Sequence, residues 1–123
     1  MQVHVTDIQI ARSALLALHR HLLEAQRVEA ERISGRMTVG EVLQAATDDL
    51  RFSWLKELSE LIAALDQALA DGDADATESQ LTAARALIAP PDPSTAFGAR
   101  YLRALQEHPA VVFAHRDATA ALS

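Results

Sequence analysis

The stretch TDIQIARSALLALHRHLLEAQRVEAERIS, Thr6 to Ser34, decides the fold. At 100° per residue, Ile8, Leu15, Leu22, Leu23, Ala30 and Ile33 fall within one arc, with His19 and Gln26 at its centre. This spacing predicts one long amphipathic helix. Thr6 and Gln9 make a T-x-x-Q capping box at its start, and Val5 with Ile10 occupies the two positions of a hydrophobic staple. Ser34-Gly35 supplies the stop, because Gly35 is free to take the left-handed conformation that closes a helix. About 27 residues at 1.5 Å each make a rod of roughly 40 Å. The outer face carries Arg20, Glu24, Arg27 and Glu31 at i,i+3 and i,i+4 spacing, so these charges pair with each other rather than form a basic patch.

The rest of the chain reads as shorter helices with clear punctuation. Thr38-Val39-Gly40-Glu41 is a second capping box, opening a short helix through Val42, Leu43 and Ala46. Thr47-Asp48-Asp49 offers an N-cap for a helix of about residues 50–70, with Leu50, Trp54, Leu58, Leu61, Leu65 and Leu69 inward and Leu55 and Ile62 widening the stripe. Ser59 and Asp66 lie at its edge. Asp71-Gly72-Asp73-Ala74-Asp75 ends that helix and caps the next, about 76–89, whose inward residues are Leu81, Ala84, Leu87 and Ile88. The D-x-D-x-D run lacks the Gly and the Glu of a calcium loop, since Ala76 and Thr82 stand at those positions. Pro90-Pro91-Asp92-Pro93 forbids continuation. Ser94 or Thr95 caps a fifth helix with the face Phe97, Tyr101, Leu105 and His108. Pro109 opens a sixth, in which Val111, His115, Ala118 and Leu122 share one side.

Half of the 123 residues are hydrophobic, many of them Ala, with one Trp, one Tyr and three Phe. That balance suits closely packed helices and suits a sheet poorly. The expected fold is therefore all-α: a single helical bundle over 1–123, its long first helix packed antiparallel on the helix at about 50–70. Eleven basic residues against seventeen acidic ones leave a net charge of −6, which argues against nucleic acid as partner. There is no Cys, so disulfides and thiolate-ligated metals are excluded. No run approaches the roughly 20 apolar residues of a membrane span. Asp7 and Arg12 interrupt what would be a signal sequence, so the expected location is the cytoplasm.

Polar residues on apolar faces are the candidate chemistry. If the third helix starts level with the end of the first and runs back along it, Asp66 lies about 24 Å from Leu50 and His19 about 22 Å from Ser34. The two then meet, and Gln26 meets Ser59 by the same arithmetic. A carboxylate on one imidazole nitrogen fixes the tautomer of His19 and raises its basicity. With His115 nearby, His19 and Asp66 are candidate ligands for a metal ion or a small molecule, supported by Gln26 and Ser59. The competing reading is a register lock, in which buried polar groups satisfy each other.

Metal and catalytic signatures are otherwise absent. No H-E-x-x-H, no Glu-x-x-His, no nucleophile elbow and no Gly-rich phosphate loop occurs. The rings of His19 and His21 point about 200° apart on a helix, and the aromatics are too few to line a haem pocket. No cofactor is expected; a metal ion is the best alternative. The apolar surface of Trp54, Leu55, Leu58, Leu61, Ile62, Leu65 and Leu69 exceeds what one partner helix needs, which points to a homodimer, or to a monomer whose own later helices cover it. The expected role is a structural or protein-interaction module rather than an enzyme, with a small-ligand or metal-binding bundle as the alternative.

Three blocks, LLALHRHLLE (Leu15–Glu24), DLRFSWLKELSELIAALD (Asp49–Asp66) and YLRALQEHPAVVFAH (Tyr101–His115), resemble a pattern in small bacterial all-helical proteins of unknown activity. The resemblance covers about a third of the chain. It implies a family whose blocks include His19, Ser59, Asp66 and His115, and it implies no activity. Pro often follows the Asp49 position in that pattern; Leu50 stands here.

Overall fold

The computed structural model describes residues 5–123, with side chains from residue 7 onward. His4 and the side chains of Val5 and Thr6, on which the Thr6–Gln9 box and the Val5–Ile10 staple depend, therefore lie outside what is described. Six helices follow in order: α1 (Val5–Ser34), α2 (Val39–Asp48), α3 (Lys56–Ala70), α4 (Ala74–Ile88), α5 (Ala96–Glu107) and α6 (Pro109–Leu122). A single 3₁₀ turn, Ser53–Leu55, precedes α3. No strand occurs among the described residues, and the fold is an all-α bundle.

Local chemistry sets most of the boundaries. Gly35 ends α1 with φ +86°, a conformation open to glycine without a Cβ penalty. The Thr38 hydroxyl accepts from Glu41 N at 3.1 Å and the Glu41 carboxylate accepts from Thr38 N at 3.2 Å, completing the second box. Gly72, at φ +65°, closes α3, and Asp73 caps α4 by accepting from Ala76 N at 3.0 Å. Thr95 caps α5 through Gly98 N at 2.9 Å, and Pro109 sits in the first turn of α6.

The segment before α3 departs from the sequence expectation. The Asp49 carboxylate does not cap a helix starting at residue 50. It accepts from Arg51 N at 2.8 Å and from the Arg51 guanidinium, and the chain turns. Phe52 then enters the core and is fully buried, while Leu50, expected inside, is 87% exposed. An aspartate able to bond the amide two residues on stabilises a turn at the expense of the helix.

The helices assemble around α1. Helix α3 runs antiparallel to it: Arg12 meets Asp66 near one end, and Gln26 meets Trp54 near the other. Helix α6 lies along α1 more extensively than any other element, and α4 joins α3 to α6. It too is antiparallel to α1, since Ala14, Ala17 and His21 share a groove with Ala110, Ala114 and Asp117, and Ile10 and Ala11 share one with Ala121 and Leu122. Alanines along this seam let two backbones approach closely. The buried residues of α1 are Ala11, Leu15, Leu18, Leu22, Ala25, Gln26 and Ala30. Their arc is centred about 50° away from the arc expected for the isolated helix, at 100° per residue. Consequently His19 is half-buried at the edge rather than at the centre. Ile33 points along the buried arc but stands past Ala30, the last buried residue of α1, and is exposed. Leu15, Leu18, Leu22, Leu58, Leu65, Ile88 and Val111 are fully buried, each contributing about 1.5–3 kcal/mol of transfer free energy.

Candidate functional site

The polar residues singled out in the sequence are held by partners other than those expected. Asp66 bonds Arg12 of α1, Nη2 to Oδ2 at 3.3 Å and Nε to Oδ1, with both side chains partly exposed. Gln26 Oε1 accepts from Trp54 Nε1–H at 2.8 Å. Ser59 turns back on its own helix and donates to Lys56 O at 3.1 Å, the local bond that helical serines often make. His19 has no hydrogen-bonding partner among the described residues, and burial pushes its imidazole below the ordinary histidine pKa of 6.5. His19, Asp66 and His115 thus belong to three separate environments rather than one bonded set. Relative to the expected pairs, α3 is displaced along α1 by five to seven residues, roughly 9 Å at 1.5 Å per residue.

His115 belongs to an aromatic row that composition alone left unassembled. Trp54 packs on Phe97 with ring centres 5.7 Å apart, Phe97 stacks on Tyr101 at 5.4 Å, and Tyr101 lies 5.5 Å from the His115 ring. The row runs from the 3₁₀ turn across α5 to α6. Tyr101 is fully buried, and its hydroxyl lies 2.6 Å from His115 Nδ1. No other partner for the hydroxyl occurs among the described residues. Tyr101 O–H therefore donates to Nδ1, which places the imidazole proton on Nε2. Burial raises the Tyr101 pKa and lowers that of His115, so both are neutral near pH 7. A signal for this pair was present in the sequence. Phe97 and Tyr101 stand four apart on one face, and a buried tyrosine hydroxyl requires a partner.

The apolar stripe of α3 is covered within the chain. Leu55, Leu58, Ile62 and Leu65 are buried, and Trp54, Leu61 and Leu69 are half-buried. The four most exposed large apolar side chains lie between the end of α1 and the turn after α2. Ile33 is 75% exposed, Val39 79%, Leu43 60% and Leu50 87%. Val39 and Leu43 stand one turn apart on α2, whose buried residues are only Val42 and Ala45. Arg51 Nη1 donates to Ser34 Oγ at 2.7 Å and Met37 N to Glu31 Oε2 at 2.6 Å, so segment 31–51 closes on itself. Ile33 and Leu50 are the immediate neighbours of the first bonded pair.

Among the described residues no group of three or more His, Asp or Glu side chains is placed to hold a metal ion, and no helix is long and apolar enough to cross a membrane. No family model, curated protein or solved structure matches the chain.

Proposed function

We propose that this chain is a cytoplasmic helical interaction module that pairs with a second copy of itself through segment 33–50. The supporting observation is the set of four large aliphatic side chains, each at least 60% exposed, on one hydrogen-bonded segment. Single exposed leucines are ordinary on a protein surface, whereas several on one short segment mark a contact surface. An aliphatic patch is self-complementary and needs no oppositely charged partner. A two-fold axis passing near Leu43 meets that condition. Arg36, which has no ion-pair partner among the described residues, and the acidic Glu41 and Asp48 lie on the same segment.

The patch is small beside the roughly 800 Å² per partner of a stable interface, so the pair is expected to be concentration-dependent. Light scattering across a dilution series tests it. The expected result is a dimer mass that falls to monomer on dilution, and a monomer mass at every concentration for Leu43→Glu. A wild-type chain that stays monomeric throughout, or a Leu43→Glu variant that dimerises equally well, overturns the reading.

A further inference from the structure

Gln26 is a 6% exposed residue with half of its amide committed. The indole N–H of Trp54 can only donate, so the oxygen of Gln26 faces it and the amide nitrogen faces away. That nitrogen has no protein acceptor among the described residues. No fully enclosed side-chain nitrogen or oxygen lacks a partner, so the Gln26 nitrogen reaches the small cleft that its residue lines between α1 and α5. Trp54, Glu29, Arg100, Arg103 and His108 also line the cleft. Arg103 is spent: it bonds Glu29 at 3.0 Å and Glu107 at 3.2 Å. Arg100 has no ion-pair partner among the described residues.

We infer that this cleft binds a carboxylate group, held by the Gln26 amide and the Arg100 guanidinium over Trp54. The cleft holds about 30 Å³ of free space, room for a head group and not for a whole ligand. One uncommitted cation suits a monoanion. Glu29 and Glu107 also line the cleft, so a phosphate dianion would meet about twice the repulsion a carboxylate meets, and a planar carboxylate matches the fork of a single arginine. This site is independent of the proposed pairing surface, which lies on segment 33–50.

Trp54 is the single tryptophan and reports on the site directly. The full chain is titrated with sodium acetate at fixed ionic strength, against sodium chloride, while Trp54 fluorescence and its indole N–H resonance are followed. A saturable response to acetate is expected, weakened about tenfold or more in Arg100→Ala by loss of a charge-assisted bond and retained in Arg20→Ala. Both arginines are exposed, so neither change threatens folding. A response equal for acetate and chloride, as for a cleft that holds water alone, overturns the proposal, as does one undiminished in Arg100→Ala. An N-acetyl-glutamate amide binding more tightly than acetate assigns the carboxylate to an acidic side chain of a protein; equal binding assigns it to a free small acid.

Discussion

Trp54 donates its indole N–H to Gln26 at 2.8 Å, joining the turn before α3 to the buried face of α1. This bond sits at one end of the α1–α3 contact and the Arg12–Asp66 ion pair at the other. Together they fix how the two helices are offset.

Replacing Gln26 by Leu leaves a half-buried indole N–H without its acceptor. The loss is expected to be about 1–2 kcal/mol of unfolding free energy. Urea unfolding followed by circular dichroism measures it, and an unchanged midpoint would show that water replaces the amide at no cost.

Asp66→Asn separates the observed pairing from the alternative one. The Arg12–Asp66 pair is partly exposed, with side chains 34% and 41% accessible, and such solvent-screened pairs stabilise little. A small change in stability is expected, with no change in the His19 titration followed by NMR. A His19 pKa that drops in Asp66→Asn would mean that the carboxylate serves the histidine after all.

Tyr101→Phe removes the donor that favours neutral His115. A hydrogen bond to the neutral form holds a histidine pKa down, so its loss lets the pKa rise while burial still keeps it low. NMR titration of the His115 ring should give a higher value in the variant. Unfolding should cost about 1 kcal/mol less, the usual net worth of one such bond.

The two shifted histidines set a pH dependence. Burial lowers the pKa of both His19 and His115 below 6.5, so the unfolded chain binds their protons more readily. Their contribution is fully present above about pH 6.5 and is lost as pH falls from there through the lower folded values. The urea midpoint should be lower at pH 5.5 than at pH 7.5. His19→Leu combined with His115→Gln should flatten that difference. The carboxylates Glu24, Asp49 and Asp92, whose pKa values are lowered by bonds to Arg27, Arg51 and Ser94, act only at more acid pH.

Gly98→Ala is expected to destabilise although alanine is the better helix former by about 1 kcal/mol. Gly98 is buried in α5, and a Cβ there would overlap the backbone carbonyl of Asp92. Backbone cannot rotate aside as a side chain can, so the 90–95 connection must move. Thermal unfolding should show a lower Tm. A higher Tm would mean that the connection yields freely.

What could be read in the sequence was local. The stop at Gly35, the Thr38–Glu41 box, the Thr95 cap and the inward Leu81, Ala84, Ile88, Phe97, Tyr101, Val111, Ala118 and Leu122 depend on neighbours within a turn or two, and they stand as expected. By contrast, α4 starts two residues early on the Asp73 cap, and Leu105, His108 and His115 are only half-buried. The helix class and the antiparallel sense of α1 and α3 were legible for the same reason. The identity of the polar partners was not. Arg12, His19 and Gln26 are spaced by seven and lie on one stripe of α1, as Ser59 and Asp66 do on α3. Sliding one helix by two turns exchanges His19 for Arg12 opposite Asp66 and leaves the pattern intact, so periodicity cannot choose between them. The choice fell to tertiary structure. The Asp49 turn delays the start of α3, Phe52 and Trp54 anchor it level with Gln26, and α6 takes the flank of α1 that rotates His19 to the edge of the core.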